Sequence, residues 1–281
     1  MKHLKLLFPL KIPFNYNFPF RQNEPVHLIT DVCDLLERYA KGERFFERAQ
    51  LREAYLFNFN LSGAYLANAS LEGSILIEAN LKGADLTQAD LSKATLCRVN
   101  LNFANLKGAL IFESNLQGAN LIQANLNGAN FSGSTLEGAI LKRASLRQAK
   151  LNHANLRHVN LLGGDLFGAS LQDSDLTGSD LFATNFSKAD LSYSNLTRAD
   201  LREANLKNAN LKNADLSLAN LFGADLSNGD LESANLQGVD LYRSKLKNTN
   251  LQNAIYDDQT KFPKWFQPNK HKMSKRSLVF S

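Results

Sequence analysis

The chain contains few of the residues that build disulfide-rich, zinc-binding or membrane-spanning proteins. Its 281 residues include two cysteines, Cys33 and Cys97, one tryptophan, two methionines and six prolines. Two isolated cysteines supply neither a disulfide framework nor a cysteine-based zinc site, and we predict no metal ion and no cofactor. No apolar run approaches the length of about 18 residues needed to span a bilayer. The sequence therefore predicts a soluble protein without a membrane span, and we expect it in the cytoplasm.

The N-terminal residues have only part of the pattern of a secretory signal. In MKHLKLLFPLKIPF, Pro9 and Lys11 interrupt the apolar stretch before any small-residue cleavage motif. Export is therefore disfavoured. Whether residues 1–25 are a targeting or a docking segment stays open.

A large apolar residue recurs at every fifth position from Leu51 to Tyr256. The register holds for 42 consecutive positions, of which 38 are Leu. Two residues before most of them stands a small residue, Ala in 27 cases and Ser in 7. The residue between is very often Asn or Asp, so the unit reads Ala-Asn/Asp-Leu-x-x, as at 79–81 and 119–121. Such self-similarity indicates a repeat architecture.

A period of five fits neither an α-helix nor a flat β-strand. On a helix of 3.6 residues per turn, successive leucines would be rotated by about 140° and would cover every face. On a strand they would alternate between the two sides of the sheet. The remaining solution makes each pentapeptide a short extended stretch that ends in a bend. Four such units close a square coil of about twenty residues, with every Leu facing the axis.

The in-register units over residues 51–256 resemble the pentapeptide-repeat family. The resemblance implies an all-β fold, a right-handed quadrilateral parallel β-helix. Leucine-rich repeats are excluded by their longer period of about 20 to 29 residues. With coils stacked at about 4.8 Å, the 42 units predict about ten coils and a solenoid roughly 50 Å long.

The flanking residues predict covers for the two ends of the solenoid. Residues 1–29 are expected to be a partly disordered extension, and 30–50 a capping α-helix with its entry into the first coil, because TDVCDLLERYAK has an N-cap residue and apolar side chains at helical spacing. Residues 257–281 are expected to form an aromatic cap and a basic tail, disordered from 268. The segment Thr-x-Phe-Pro near this end is similar to that of family members from photosynthetic bacteria.

Positions twenty residues apart are expected to stack on one face. The residues just before Leu on one face then form a column that is mostly Asn in its first half and includes Asp180 and Asp200 in its second. The column predicts a ladder of side-chain hydrogen bonds between coils. An acidic docking strip in the C-terminal half is the functional alternative.

The residues just after Leu on the same face form a mixed aromatic and basic column. Singly exposed apolar residues are unremarkable, but aromatic and Arg side chains dominate binding hot spots. A contiguous column of them therefore suggests a protein-binding surface, which we name the aromatic stripe. Its members are Ile122, Lys142, Leu162, Phe182, Arg202, Phe222 and Tyr242.

A second group of candidate residues is a basic band around one coil. Contact with an anion or nucleic acid is possible on this pattern, but a solvated ring of charge is the simpler interpretation. His153 and His158 lie one unit apart and are expected on adjacent faces, which argues against a metal site. The members of the band are Lys142, Arg143, Arg147, Lys150 and Arg157.

These patterns distinguish three functional classes. An enzyme is disfavoured, because no catalytic motif is present and no insertion interrupts the register to build a pocket. Members of the family that mimic DNA and bind gyrase need a strongly negative rod, whereas residues 51–256 carry 18 Lys or Arg against 19 Asp or Glu. We therefore expect a non-enzymatic scaffold or regulatory protein that binds an unidentified protein partner. Neither a small-molecule substrate nor nucleic acid is expected, and the protein is predicted to be a monomer or an end-to-end dimer.

Overall fold

The repeats form a stack of four-sided coils. The structure, a computed structural model, describes residues 28–276. Parallel bridges join residues twenty apart, one every five residues, from Phe45↔Tyr65 to Asn235↔Ile255. Four bridges per turn give each coil four faces. The stack begins one unit earlier than the predicted start at Leu51, because Phe46 is buried in line with the leucines.

Each pentapeptide has five positions with distinct roles, and the unit 81–85 shows them. Leu81 is at the inward position and Lys82 at the outer position. Gly83 is at the corner position, where the chain turns with φ +66°. Ala84 is at the small position, which also faces inward, and Asp85 is at the bridge position. These five names are used for the equivalent residues of every unit.

In a typical unit, each of the five backbone N–H groups has a hydrogen-bond acceptor. The inward, corner and bridge N–H groups bond to carbonyls of neighbouring coils, and the small-position N–H closes a turn onto the inward carbonyl. The outer N–H bonds instead to the side chain at the preceding bridge position, which explains why that position is so often Asn or Asp. Around residues 81–85 the acceptors are Asn100 O (2.8 Å from Leu81 N), Asn80 Oδ1 (3.2 Å from Lys82 N), Asn102 O (2.9 Å from Gly83 N), Leu81 O (3.0 Å from Ala84 N) and Ala64 O (2.9 Å from Asp85 N).

The interior is a continuous column of leucine and alanine. Leu126, at mid-column, has no exposed surface, and the larger Phe131 and Phe186 are equally buried. Burial of one leucine side chain stabilises the fold by about 1.5 to 3 kcal/mol. The column is therefore the main source of stability.

The first coil is covered by the helix α1, Val32–Ala40. Asp31 is its N-cap and accepts a hydrogen bond from Asp34 N (3.2 Å). Leu35 is fully buried, and the Tyr39 hydroxyl donates to Ser62 O (2.9 Å). Within residues 28–276 no helix is long and apolar enough to cross a membrane.

The last coil is covered by an irregular segment that differs from the prediction. The strand β1, Ile255–Tyr256, pairs in parallel with β2, Ser274–Lys275, after a 3₁₀ helix at Pro268–His271. The prediction of disorder from residue 268 is therefore wrong for 268–276, because β2 and the 3₁₀ helix are part of this cover. Tyr256 was predicted to be inward. It is half-buried and makes an edge contact with Phe262, with ring centroids 5.5 Å apart.

Asp257 holds the turn that starts this cover. Its buried Oδ1 accepts hydrogen bonds from Gly238 N, Gln259 N and both the N–H and hydroxyl of Thr260, each at 3.0 Å. Burial raises the pKa of the carboxyl, but the Gly238 N–H, the Thr260 hydroxyl and the two further N–H donors outweigh it, so the pKa is lowered. The charged carboxylate is thus part of the folded structure.

Candidate protein-interaction surface

The two best-formed cavities in the described part of the chain are shallow, open depressions. The first is about 450 Å³ and opens between Glu113 and His153, where Gly133 occupies the corner position. Across residues 28–276 no three His, Cys, Asp or Glu side chains are grouped so that they could hold a metal ion. The candidate functional residues therefore lie on the outer faces of the coils.

The residues of the aromatic stripe lie at outer positions of one face. Bridges such as Asn160↔Asp180 and Asp180↔Asp200 fix these rows in register. Ile122, Leu162 and two phenylalanines are half-buried, whereas the remaining three side chains are exposed, including Tyr242 at 37%. The half-buried residues are Ile122, Leu162, Phe182 and Phe222, and the exposed ones are Lys142, Arg202 and Tyr242.

Ring contacts form two clusters in the C-terminal half of the stripe. The Arg202 guanidinium lies 5.5 Å from the Phe182 ring centroid. The rings of Phe222 and Tyr242 are 6.0 Å apart, and the Arg243 guanidinium lies 5.6 Å from the first and 6.0 Å from the second. Cations near aromatic rings at such distances attract them. This half of the stripe therefore holds two clusters of rings and guanidinium groups in adjacent rows.

Arg202 is oriented by the carboxylate at the preceding bridge position. Its Nη2 and Nε donate to Asp200 at 2.6 and 2.8 Å. The hydrogen bonds from this guanidinium lower the pKa of Asp200, against a smaller opposing effect of burial. Asp200 is thereby a positioning group for Arg202, which weakens the alternative of an acidic docking strip at this row.

The predicted ladder of side-chain hydrogen bonds is present in the N-terminal half of this face. Asn80 Nδ2 donates to Asn60 Oδ1, and Asn100 Nδ2 donates to Asn80 Oδ1, both at 3.0 Å. A similar ladder joins Asp165, Asn185 and Asn205 on the next face (2.8 and 3.0 Å). These side chains also accept the outer-position N–H, a role that the column pattern alone did not reveal.

The basic band is divided among four faces and partly neutralised. Lys142 and Arg143 share the stripe face, whereas Arg147, Lys150 and Arg157 each lie on a different one. Arg147 Nη1 is 2.8 Å from Asp165 Oδ2, and Arg157 Nη1 is 3.7 Å from Asp175 Oδ2. The structure does not bring the five cations together into one site.

His153 and His158 also lie on different faces. His153 Nδ1 is 3.9 Å from Asp173 Oδ2 in the next coil. His158 lies beside Gly178, whose added Cβ would meet its ring at 2.8 Å. The two imidazoles have separate surroundings and share no ligand-like neighbour.

Exposed aromatic residues at the N-terminal end were not identified from the sequence. Phe45 and Tyr65 stack with centroids 4.7 Å apart, and Tyr55 and Phe57 lie 6.3 Å apart on another face. Phe45 and Tyr55 are 65% and 62% exposed. The signal was available, because aromatic residues occupy bridge positions where most units have Asn or Asp.

Comparison with known proteins assigns the chain to a family. The model described as "Pentapeptide repeats" matches in overlapping copies that together cover most of residues 46–255. The chain belongs to the pentapeptide-repeat family. Membership implies a right-handed β-helix, in agreement with the parallel coils. No curated protein sequence matches the chain.

Solved pentapeptide-repeat structures are among the proteins similar to this chain. HetL of the cyanobacterium Nostoc sp. strain PCC 7120, a protein involved in heterocyst differentiation regulation, is 36% identical over 81% of this chain and 97% of its own, with a TM-score of 0.47. An Arabidopsis thaliana thylakoid-lumen protein is 26% identical over 52% of this chain and 70% of its own, with a TM-score of 0.28. QnrB1, a plasmid-mediated fluoroquinolone resistance protein, is 19% identical over 82% of this chain and 91% of its own, with a TM-score of 0.31.

Proposed function

We propose that this pentapeptide-repeat protein is a non-catalytic scaffold or regulatory protein that binds a protein partner along the aromatic stripe. The observation that carries the proposal is the pair of ring and guanidinium clusters in adjacent rows, Phe182 with Arg202 and Phe222 with Tyr242 and Arg243. Aromatic and arginine side chains contribute most of the binding free energy at protein interfaces. The stripe has both, in adjacent rows.

The stripe is also rigid before binding. Its backbone is fixed by hydrogen bonds to both neighbouring coils, and Asp200 holds Arg202 in one orientation. Ordering a rotamer-rich side chain at an interface costs about 0.5 to 1.5 kcal/mol. A surface that is ordered in the free protein avoids much of this cost.

Catalysis is not part of the proposal. Pentapeptide-repeat proteins are generally structural or interaction proteins, and catalytic groups need a concave site. The depressions on this surface are shallow, and the bridge pattern runs from Phe45 to Ile255 without an insertion. A DNA-mimicking binder of gyrase is disfavoured for a separate reason: the near balance of charge over 51–256 does not resemble a polyanion.

The two ends are proposed to close the solenoid, and the protein is proposed to act in the cytoplasm. Burial of Leu35 at one end and Phe266 at the other supports a covering role for residues 30–50 and 257–276. Trp265 is 62% exposed on the C-terminal cover and would be the contact in an end-to-end dimer. The extension 1–29 and the tail beyond 276 lie outside the described residues, apart from 28 and 29.

The proposal is tested by affinity capture with purified full-length protein as bait. Wild type and the double variant Phe182→Ser, Phe222→Ser are compared in lysate of the native host, with quantitative mass spectrometry. The double variant is expected to lose the wild-type partner, because it removes two rings from the stripe while leaving every inward residue in place.

A matched control separates loss of the stripe from a general loss of apolar surface. Ile77 and Phe112 occupy outer positions on the two other faces away from the stripe and are also half-buried. The double variant Ile77→Ser, Phe112→Ser is expected to retain the partner. Equal recovery by all three baits would remove the proposal.

A further inference from the structure

A group of cations borders the stripe on the same coils. Tyr242, in the stripe, is followed by Arg243 at the corner, Lys245 at the next bridge position and Lys247 at the next outer position. Lys207 is at the same outer position as Lys247 two coils earlier. Lys188 is at a corner position of the face that holds Lys207, Lys245 and Lys247. We name these four lysines and Arg243 the basic corner. The basic corner lies beside the rings of the aromatic stripe, with its four lysines on the next face around the coil.

Two lysines of the basic corner share a single carboxylate. Lys207 Nζ is 3.4 Å and Lys245 Nζ 3.3 Å from Asp225 Oδ2, whose side chain is only 12% exposed. Burial raises the pKa of Asp225, but hydrogen bonds from Ser227 and the two lysines outweigh it, so the pKa is lowered and the group is ionised. One negative charge between two ammonium groups leaves a net positive charge there.

The other three cations of the corner have no carboxylate partner in the described part of the chain. The Arg243 guanidinium lies over the rings of Phe222 and Tyr242, and Lys188 Nζ lies 5.4 Å from the Phe167 ring. No carboxylate oxygen lies within 4.0 Å of Arg243, Lys188 or Lys247 in residues 28–276. Their charge is available to a partner.

The charges of this surface indicate the chemistry of its partner. On the side of the rings where the basic corner lies, five cations face two carboxylates, Asp225 and Glu203, which gives that side a net charge of +3. We propose that the stripe binds an acidic protein segment with apolar side chains, whose carboxylates the basic corner recognises. This inference rests on the proposed function, because it names the partner of the same surface. Complementary charge steers association and selects among partners.

A protein segment fits this surface better than a nucleic acid does. Asp180 and Asp200 run along the other side of the stripe, and Glu203 lies at its corner. A nucleic acid strand has a charge at every nucleotide and would place phosphates against these carboxylates. A peptide can place its acidic side chains on the corner alone and its apolar ones on the rings.

The test is fluorescence anisotropy of labelled probes with the full-length protein at low and high salt. The probes are a peptide of Glu, Leu and Phe, a peptide in which Lys replaces Glu, a peptide of Glu and Ser, and a short oligothymidylate. The Glu-Leu-Phe peptide is expected to bind tightest, and its affinity to fall as salt rises.

Charge reversal identifies the site of binding. Lys207→Glu with Lys247→Glu is expected to weaken the Glu-Leu-Phe peptide by about tenfold or more, and Phe182→Ser with Phe222→Ser to weaken it as well. Lys93→Glu with Arg198→Glu, at corner positions of the two remaining faces, is the matched control and should leave binding unchanged. Circular dichroism checks that each variant is folded.

Other outcomes overturn the inference. These are equal or tighter binding of the Lys peptide or the oligothymidylate, no binding of the Glu-Leu-Phe peptide, or the same affinity in the corner variant as in wild type. The corner variant also serves as bait in the native lysate. If it keeps the captured partner while the stripe variant loses it, the proposed function stands and the acidic partner does not.

Discussion

The interior and the outer surface of the coils differ in how far their residues vary. Of the 41 inward positions from 51 to 251, 38 hold leucine, whereas the seven rows of the aromatic stripe hold six residue types. Every inward side chain packs in the buried column, where most of its neighbours are also leucine. Outer side chains do not have to fill this column, and the backbone of each unit is already hydrogen-bonded within the coils. The contrast indicates that the inward column stabilises the fold and that the outer positions are free to vary.

The largest expected effect comes from placing a charge inside. Leu126→Lys should lower the free energy of unfolding by more than about 4 kcal/mol, because it buries an unpaired ammonium group in a dry column. Urea unfolding followed by circular dichroism measures it. Gln123→Lys, at an exposed corner position in the same region, should change stability by less than about 0.5 kcal/mol. Similar losses in both variants would contradict the contrast.

The second largest effect is expected from removal of the buried Asp257 carboxylate in the C-terminal cover. Asp257→Ala should cost about 2 to 4 kcal/mol, because it leaves buried N–H donors without an acceptor. Hydrogen exchange should show the loss first in residues 257–276. Uniform loss along all coils would show that the cover and the column unfold as one unit.

The lowered pKa of Asp257 predicts the direction of a pH effect. Its pKa when folded is below the unfolded value of about 3.9. Its contribution is therefore complete above the unfolded value and is lost as pH falls through the folded one. Between a pH above this window and a pH below it, the free energy of unfolding should fall by more in wild type than in Asp257→Asn. Parallel pH profiles would argue against the charged hydrogen bonds.

Two glycines distinguish the small position from the corner position. Gly164 is at a small position, where other units have Ala, and has no positive φ, but an added Cβ would lie 3.0 Å from Leu161 O, so Gly164→Ala should change the free energy of unfolding by no more than about 0.5 kcal/mol. Gly128 is at a corner with φ +68°, so Gly128→Ala should destabilise it by about 1 kcal/mol. Thermal unfolding of both variants measures the pair. A loss of stability in Gly164→Ala as large as that in Gly128→Ala would contradict the assigned roles.

The smallest effect concerns a buried hydroxyl. Ser74 is fully buried, and its Oγ has no hydrogen-bond partner in the described chain. Ser74→Ala should therefore be neutral or stabilise by up to about 1 kcal/mol. At the equivalent position two coils on, the Ser114 hydroxyl donates to Leu91 O (2.8 Å), and Ser114→Ala should cost about 1 kcal/mol. Chemical denaturation that ranks the two the other way would show that Ser74 has a partner.

The coils could be predicted because one spacing determines them. A leucine at every fifth residue leaves only a closed coil that buries all copies, and a coil of twenty residues then assigns each outer residue to a face. The C-terminal cover has no period, so the pairing of Ser274 with Ile255 could not be read from the sequence. The bridge Asp240↔Lys261 joins residues 21 apart and marks where the period ends.

The candidate surface could be predicted as a column but not as a set of contacts. Spacing alone placed Phe182 and Phe222 on one face. It did not show that Arg243 reaches back over Phe222, because that contact crosses a corner and depends on rotamers. It also did not show that Arg147 and Arg157 pair with carboxylates in the next coil, which depends on side-chain reach. Partner binding by the stripe stays a prediction.

The most direct test of the division between inside and outside uses two adjacent residues. In a background with Cys33→Ser and Cys97→Ser, Leu181→Cys and Phe182→Cys are compared for reaction with a thiol reagent under native conditions. The Phe182→Cys thiol should react in the folded protein, whereas the Leu181→Cys thiol should react only upon unfolding, because Leu181 has no exposed surface. Equal reactivity of the two thiols in folded protein would contradict the inward column and the outward stripe together.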